Sequence, residues 1–366
     1  MSKKFWQKIW GRKPKKKFGA WQIELTSRCP LQCRMCNRIE YGDFPRQDMP
    51  FADFKKILPY LKDVETVILE GWGESLLYKN LPECIRLVKK EGSQVGFVTS
   101  GQGLNEGYIN ELLAAGVDFM GFSLAGTTPQ THNAIRRNSS LTELLANIQL
   151  LQETKKKLQI VNPRLHVVYL LLKDNIEEVP GLIPLCQELE IPEIILINLI
   201  HVTNFWQDEQ KVFGPIVLPE YQKPLIEATQ RARQKKIKIH CPSLSFQEVG
   251  LCSEDPLRNL YISVTGEVSP CVYLNPPLPS PFKRIFQGRE CPIERGQFGN
   301  IFQEDIAQIW DAPAYRDFRN SWLARKQLSA RTASLIFDPD RFKEQPLSPL
   351  PPPPSACQTC YKSLGV

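Results

Sequence analysis

Three cysteines lie within eight residues in the run LTSRCPLQCRMCNR: Cys29, Cys33 and Cys36. Thiolates are the ligands that iron–sulfur clusters use. Three of them in one loop can hold three irons of a four-iron cubane and leave the fourth iron open to a substrate or cofactor. A structural zinc site takes a fourth protein ligand. The four histidines (His132, His166, His201 and His240) are all distant in sequence. The triplet by itself therefore favours a 4Fe–4S cluster over zinc, and a remote fourth ligand stays open.

A second group of cysteines lies late in the chain. Cys252 and Cys271 flank LYISVTGEVSP, which reads as a β-hairpin with a threonine–glycine turn that draws the two thiols together. Cys357 and Cys360 follow, beyond an 85-residue gap (272–356). Four such thiolates suit zinc and an iron–sulfur cluster equally on spacing. Cys241 and Cys291 are possible substitutes for the distant pair. Cys84 and Cys186 fall in helical stretches and read as small buried hydrophobes. Eleven cysteines in 366 residues, an odd number, do not suit a small secreted disulfide scaffold.

The elements that must position these groups alternate. Apolar runs at 21–26, 66–70, 95–99, 118–124, 165–172 and 193–200 read as strands. Amphipathic stretches around 52–62, 81–91, 107–115, 140–156, 177–188 and 218–235 read as helices. Uninterrupted apolar strands separated by helices predict a parallel α/β sheet, a partial (β/α)6 TIM-like barrel. Chemistry in such folds sits at the C-terminal ends of strands. Around residue 241 the alternation stops and prolines and cysteines become frequent. Three segments follow: a tail over 1–18, the partial barrel over 19–240, and a small cysteine-rich extension over 241–366 with a proline-rich connector at 346–354.

C-x3-C-x2-C just after the first strand of a partial barrel resembles the radical S-adenosylmethionine superfamily. The likeness continues at later strand ends. LEGWGES, with Gly71, Gly73 and Glu74, resembles the family's glycine–glycine–glutamate motif for the cofactor's amino group. Thr99, Ser100 and Gly101 resemble its threonine–asparagine–glycine. Within FSLAGTTPQTHNAIRR, Ser123 and Arg136 match the positions that meet the ribose and the carboxylate. Met35 stands where an aromatic residue usually lies near the adenine. The resemblance implies S-adenosyl-L-methionine on the open iron, cleaved by one electron to a 5′-deoxyadenosyl radical that takes a hydrogen from substrate. C-x13-G-x4-C followed by GNIFQEDIAQIWDAPAYRDFR is similar to SPASM and twitch extensions. It implies an auxiliary 4Fe–4S cluster on Cys252, Cys271, Cys357 and Cys360, acting in electron transfer.

Related extensions occur in enzymes that modify peptides, that mature protein side chains or that dehydrogenate small molecules. A peptide or protein side chain is the expected substrate, and a ferredoxin or flavodoxin the expected reductant. Tyr169, Asn198 and His201 could face substrate, and no catalytic base is named. The competing class is a non-enzymatic cluster protein that binds nucleic acid or a membrane through its tail. Residues 1–17 hold eight basic residues and no acid. Removing those eight from the 46 Lys and Arg leaves 38 against 39 acidic residues, so the +7 net charge belongs to the tail. A neutral body lacks the basic face that nucleic-acid binding needs. Phe5, Trp6, Ile9 and Trp10 would share one face of a tail helix, suiting either a membrane-surface contact or packing onto the body. With no apolar run long enough to span a bilayer and no secretory h-region, the expected location is the cytoplasm, peripheral at the membrane if the tail binds there.

Overall fold

Short apolar runs bounded by polar turns cannot hide both faces as helices; here they become the strands of one covered sheet. The structure, a computed structural model, describes residues 16–41, 44–336 and 348–366, without the side chains of 333–336. Seven strands follow in chain order: β1 Phe18–Ile23, β2 Val64–Ile68, β3 Gln94–Thr99, β4 Phe119–Leu124, β5 Arg164–Leu171, β6 Glu193–Asn198 and β7 Lys238–His240. Each pairs in parallel with the next. This is the predicted partial barrel, with the short β7 added at one edge.

The other edge is built from the cysteine-rich region. β8 (Leu260–Ile262) pairs in parallel with β1, Trp21 opposite Leu260 and Ile23 opposite Ile262. β9 (Val268–Ser269) returns antiparallel, so the predicted hairpin forms. Gly266 turns it at φ +83°, where a side chain would also strike Asn300 and Phe302. The sheet thus runs β9-β8-β1-β2-β3-β4-β5-β6-β7.

Helices α1 Phe51–Ile57, α2 Leu81–Lys90, α3 Glu106–Ala115, α4 Pro129–Ile135, α5 Leu141–Leu158, α6 Leu182–Glu188, α7 Phe205–Glu209 and α8 Pro219–Lys235 lie between the strands. Side-chain oxygens of Asn105, Thr128 and Ser140 cap α3, α4 and α5. Two helices are shorter than their sequence pattern. The 52–62 stretch leaves α-geometry at Ile57, just before Pro59, and finishes as a 3-10 turn. The 177–188 stretch begins as 3-10 through Pro180. Proline has no N–H to continue an α ladder. The main core is an apolar mass around Trp21, Phe54, Phe97 and Phe122, each fully buried, and a second, smaller cluster gathers Phe44, Leu274, Phe282, Trp322 and Cys357. Cys84 and Cys186 are packed within it as expected.

Beyond β9 come the hairpin β10 (Phe282–Phe286) and β11 (Arg289–Ile293), then α9 (Ile306–Asp311) and α10 (Pro313–Ile336). A capping box of Asp305 and Gln308 starts α9. The final segment docks back: Gln247 N donates to Leu364 O at 2.8 Å, and Tyr361 is buried against Phe213 and Phe286. That return crosses the long gap before Cys357. The tail face of Phe5, Trp6, Ile9 and Trp10 and the first residues of the proline connector lie outside the described residues. No described helix is long and apolar enough to cross a membrane.

Candidate active site

β1 delivers the chain into the loop that carries the triplet. Gln32–Cys33 forms a two-residue strand antiparallel to Arg136–Arg137, which sets Cys33 opposite Arg136. Cys36 N donates to Cys33 O at 2.9 Å and Arg34 N to Ile135 O at 2.9 Å, so backbone bonds fix the loop. Burial pushes the Cys29 thiol up and the Cys36 thiol up to about 11, and each of the two also feels Cys33. Metal-free, Cys29 and Cys36 are neutral thiols; coordination to a metal removes their protons. Arg38, which sequence reasoning missed, reaches over them. Its Nη1 donates to Cys29 O at 3.4 Å, and its Nε is buried without a partner.

Of the expected cofactor contacts, Gly73, Glu74 and Arg136 lie against this loop. Gly73 lies so close to it that an added Cβ would stand 2.1 Å from Thr26 O and 2.7 Å from Arg28 O. Glu74 is buried and braces the end of β3. Its oxygens accept from Thr99 Oγ1 at 2.6 Å, Ser100 Oγ at 2.7 Å, Ser100 N at 2.9 Å and Leu76 N at 3.2 Å. Gly101 N in turn donates to Thr99 Oγ1 at 2.9 Å. Gly71 approaches Glu24, whose carboxylate accepts from Trp72 N at 2.7 Å. Ser123 lies on β4 and is half-buried, and Met35 is half-buried against the core. Arg136 Nε and Gln102 Oε1 are buried with no partner. A buried donor left open on Arg136, opposite Cys33, and a buried acceptor left open on Gln102, just past β3, suit a polar zwitterion such as the methionine part of S-adenosylmethionine. The residues present therefore fit that cofactor.

The four late cysteines meet. Cys252, Cys271, Cys357 and Cys360 line one small cavity of about 20 Å³, together with Glu254, Tyr273, Leu274, Arg284, Trp322 and Lys362. Burial pushes Cys252 up to about 12 and raises Cys271 and Cys357 well above the ordinary thiol range, with neighbouring thiols adding to the rise. Cys241 is exposed beside Thr229, and Cys291 lies on β11 outside the cavity lining, so neither joins the four. Among the described residues, no three Cys, His, Asp or Glu side chains converge closely enough to hold a single metal ion.

Aromatic rings join the two regions. Trp72, beside Gly71, packs edge-on to His201 at 5.9 Å between centroids. His201 stacks on Tyr273 at 6.0 Å and lies 5.7 Å from Phe282. His201 is fully enclosed, neither ring nitrogen has a partner, and burial holds it neutral. Asn198 donates to Ser243 O at 2.9 Å and leaves its Oδ1 open. Tyr169 does not face a substrate: it is buried in the core and its hydroxyl donates to Asn175 O at 2.9 Å. Long aromatic side chains on a central strand turn inward to fill volume, which the strand's position in sequence did not disclose. Glu24 and Glu70 were also missed. Both are lifted by burial to about 7, and their signal was an acid ending an apolar run, IELT and ILEG.

The chain matches the Radical SAM superfamily over residues 23–185 and the SPASM iron–sulfur cluster-binding domain over residues 252–333. It is 26% identical over 302 residues to the tungsten-containing aldehyde ferredoxin oxidoreductase cofactor-modifying protein of Pyrococcus furiosus, covering 81% of this chain and 82% of that one. It is 24% identical over 313 residues to the PqqA peptide cyclase of Xanthomonas axonopodis pv. citri, covering 82% and 77%. Among solved structures it resembles Streptococcus suis SuiB bound to S-adenosylmethionine, with a TM-score of 0.60 at 16% identity, covering 82% of this chain and 67% of that one. It also resembles anSMEcpe with bound AdoMet, with a TM-score of 0.61 at 12% identity, covering 82% of each.

Proposed function

Because the chain belongs to the radical S-adenosylmethionine superfamily and carries a SPASM cluster-binding domain, we propose that it modifies a peptide or protein side chain by hydrogen abstraction. Cys29, Cys33 and Cys36 would hold the 4Fe–4S cluster that binds and reduces the cofactor. Arg136 and Gln102 offer the open polar atoms for the cofactor's methionine part. Glu74 acts by bracing Thr99 and Ser100. The second cluster would sit on Cys252, Cys271, Cys357 and Cys360.

One observation carries this reading: four cysteines scattered over more than a hundred residues close a single cavity, and a file of rings leads from it to the cofactor loop. Such a site, with no open iron, suits electron transfer and not substrate binding. The cofactor supplies the radical when bound; the chain's residues position it and exclude water. A peptide is preferred because one relative is named a peptide cyclase and a SuiB structure holds its precursor peptide. Modification of an enzyme cofactor is the second reading, favoured by the name of the Pyrococcus relative. A ferredoxin or flavodoxin would supply electrons, in a reducing cytoplasm that keeps thiols available to iron.

Anaerobic reconstitution tests the reading. The reduced protein should carry about eight irons per chain, two four-iron clusters, and release 5′-deoxyadenosine from S-adenosylmethionine. Bound zinc with no cofactor cleavage refutes it. Mass spectrometry of a candidate precursor peptide after turnover separates the two substrate classes.

A further inference from the structure

The cavity of the four late cysteines contains a charge that nothing answers. Arg284 is 1% exposed. Its Nη1 donates to Ala356 O at 3.0 Å and its Nη2 to Tyr273 O at 3.4 Å. Both acceptors are backbone carbonyls, and no carboxylate pairs with it among the described residues. The other two charges lining the cavity cancel, because Lys362 Nζ lies 2.6 Å from Glu254 Oε1. One positive charge is left over. A buried, unpaired cation is costly unless an anion shares its site. Trp322 repeats the pattern. Its indole Nε1 is buried with no oxygen or nitrogen acceptor, and the Cys357 sulfur lies within its reach.

Resting on the proposed assignment of the second cluster, we infer that Arg284 is the built-in counter-charge of that cluster and, with the Trp322 N–H, biases it toward its reduced state. Four thiolates outweigh the charge of an iron–sulfur core, so the site is net negative when oxidised and one unit more negative when reduced. A fixed cation in a low-dielectric cavity stabilises the more negative state more strongly. Net charge and hydrogen bonds to sulfur are the levers that set a cluster's potential. The site is thereby a better electron acceptor than the same four thiolates without Arg284. Its donor is the substrate radical left after hydrogen abstraction. That radical becomes a closed-shell product by giving one electron to the cluster and one proton to water. Arg284 is a positioning residue: it touches the cluster's surroundings and not the substrate.

The test uses the full chain with Cys29, Cys33 and Cys36 changed to alanine, so that one cluster remains. Its midpoint is read by electron paramagnetic resonance during a potentiometric titration, with no turnover needed. Arg284→Met should lower the reduced-to-oxidised ratio at a fixed potential by at least tenfold, about 59 mV for one electron. Arg284→Lys should stay within that span, and Trp322→Phe should shift the same way as Arg284→Met by less. An unmoved midpoint in Arg284→Met, or an equal shift in Arg284→Lys, overturns the inference. If Arg284→Met takes up no iron, uptake itself decides: Arg284→Lys retaining the cluster supports the counter-charge, and its failure overturns it. Absence of a cluster from the parent protein would instead sink the assignment on which the inference rests.

Discussion

Glu24, the residue after β1, carries a carboxyl that water does not reach. Its oxygens accept from Trp72 N at 2.7 Å and Val264 N at 3.3 Å, and the nearby Tyr261 phenol also favours its ionised form. Arg38 adds a weaker attraction. Burial outweighs all of these and lifts the group from its ordinary 4.5 to about 7. Below pH 4.5 the carboxyl is protonated whether the chain is folded or not. Between 4.5 and about 7 the unfolded chain has lost the proton and the folded chain keeps it, so stability falls as pH rises. Above that window both forms are ionised and the full penalty remains. A rise of about 2.5 units at about 1.4 kcal/mol each is worth about 3 kcal/mol. Glu24→Gln preserves the shape without the charge. In urea unfolding of the reduced, metal-free chain, the variant should match the native protein near pH 4.5 and exceed it by about 3 kcal/mol at pH 8. Glu70 titrates in the same window, so the difference between the two proteins isolates Glu24. A difference that stays flat across this range refutes the reasoning.

Three further outcomes are expected. Gly73→Ala would force a Cβ to 2.1 Å from Thr26 O, which costs about 1–3 kcal/mol in thermal unfolding and loosens S-adenosylmethionine in equilibrium dialysis; native values for both would show the loops are not locked together. Arg136→Gln should weaken cofactor binding about tenfold, about 1.4 kcal/mol, while leaving the melting temperature near native, and unchanged binding removes Arg136 from the site. Because burial holds Cys252 up at about 12, iron loading must expel protons: uptake in Cys29/Cys33/Cys36→Ala protein should release protons to a pH indicator and strengthen as pH rises, and pH-independent uptake contradicts this.

The parts of the site that could be read from sequence are those where chemistry is carried by local spacing. Cys29, Cys33 and Cys36 are close along the chain, and Gly73 and Thr99 sit just past and at the end of apolar runs that had to be strands. The hairpin around Gly266 was legible for the same reason. Arg284 was not. It lies in FKRIF, where an alternating strand gives no hint that a guanidinium faces four thiols. Arg38 and Gln102 gain meaning only once folding leaves their polar atoms buried and open. Helix α10 and strand β7 escaped notice because a mixed, charged pattern and a three-residue run carry little periodicity. Tyr169 shows the converse, a polar aromatic residue on a strand that the fold uses as filling.

The parallel ladder between β1 and β8 has a consequence for how such a chain could change its substrate. β1 feeds directly into the triplet, and β8 is held between Cys252 and Cys271. The span between the two cysteine sites is therefore measured by backbone hydrogen bonds, which no side-chain exchange removes. Residues in the gap, such as Trp72, His201 and Tyr273, add packed side chains to that span and no strand of the ladder. The scaffold behaves as a fixed gauge: its jaws keep their separation while their lining is free to drift toward a new cargo.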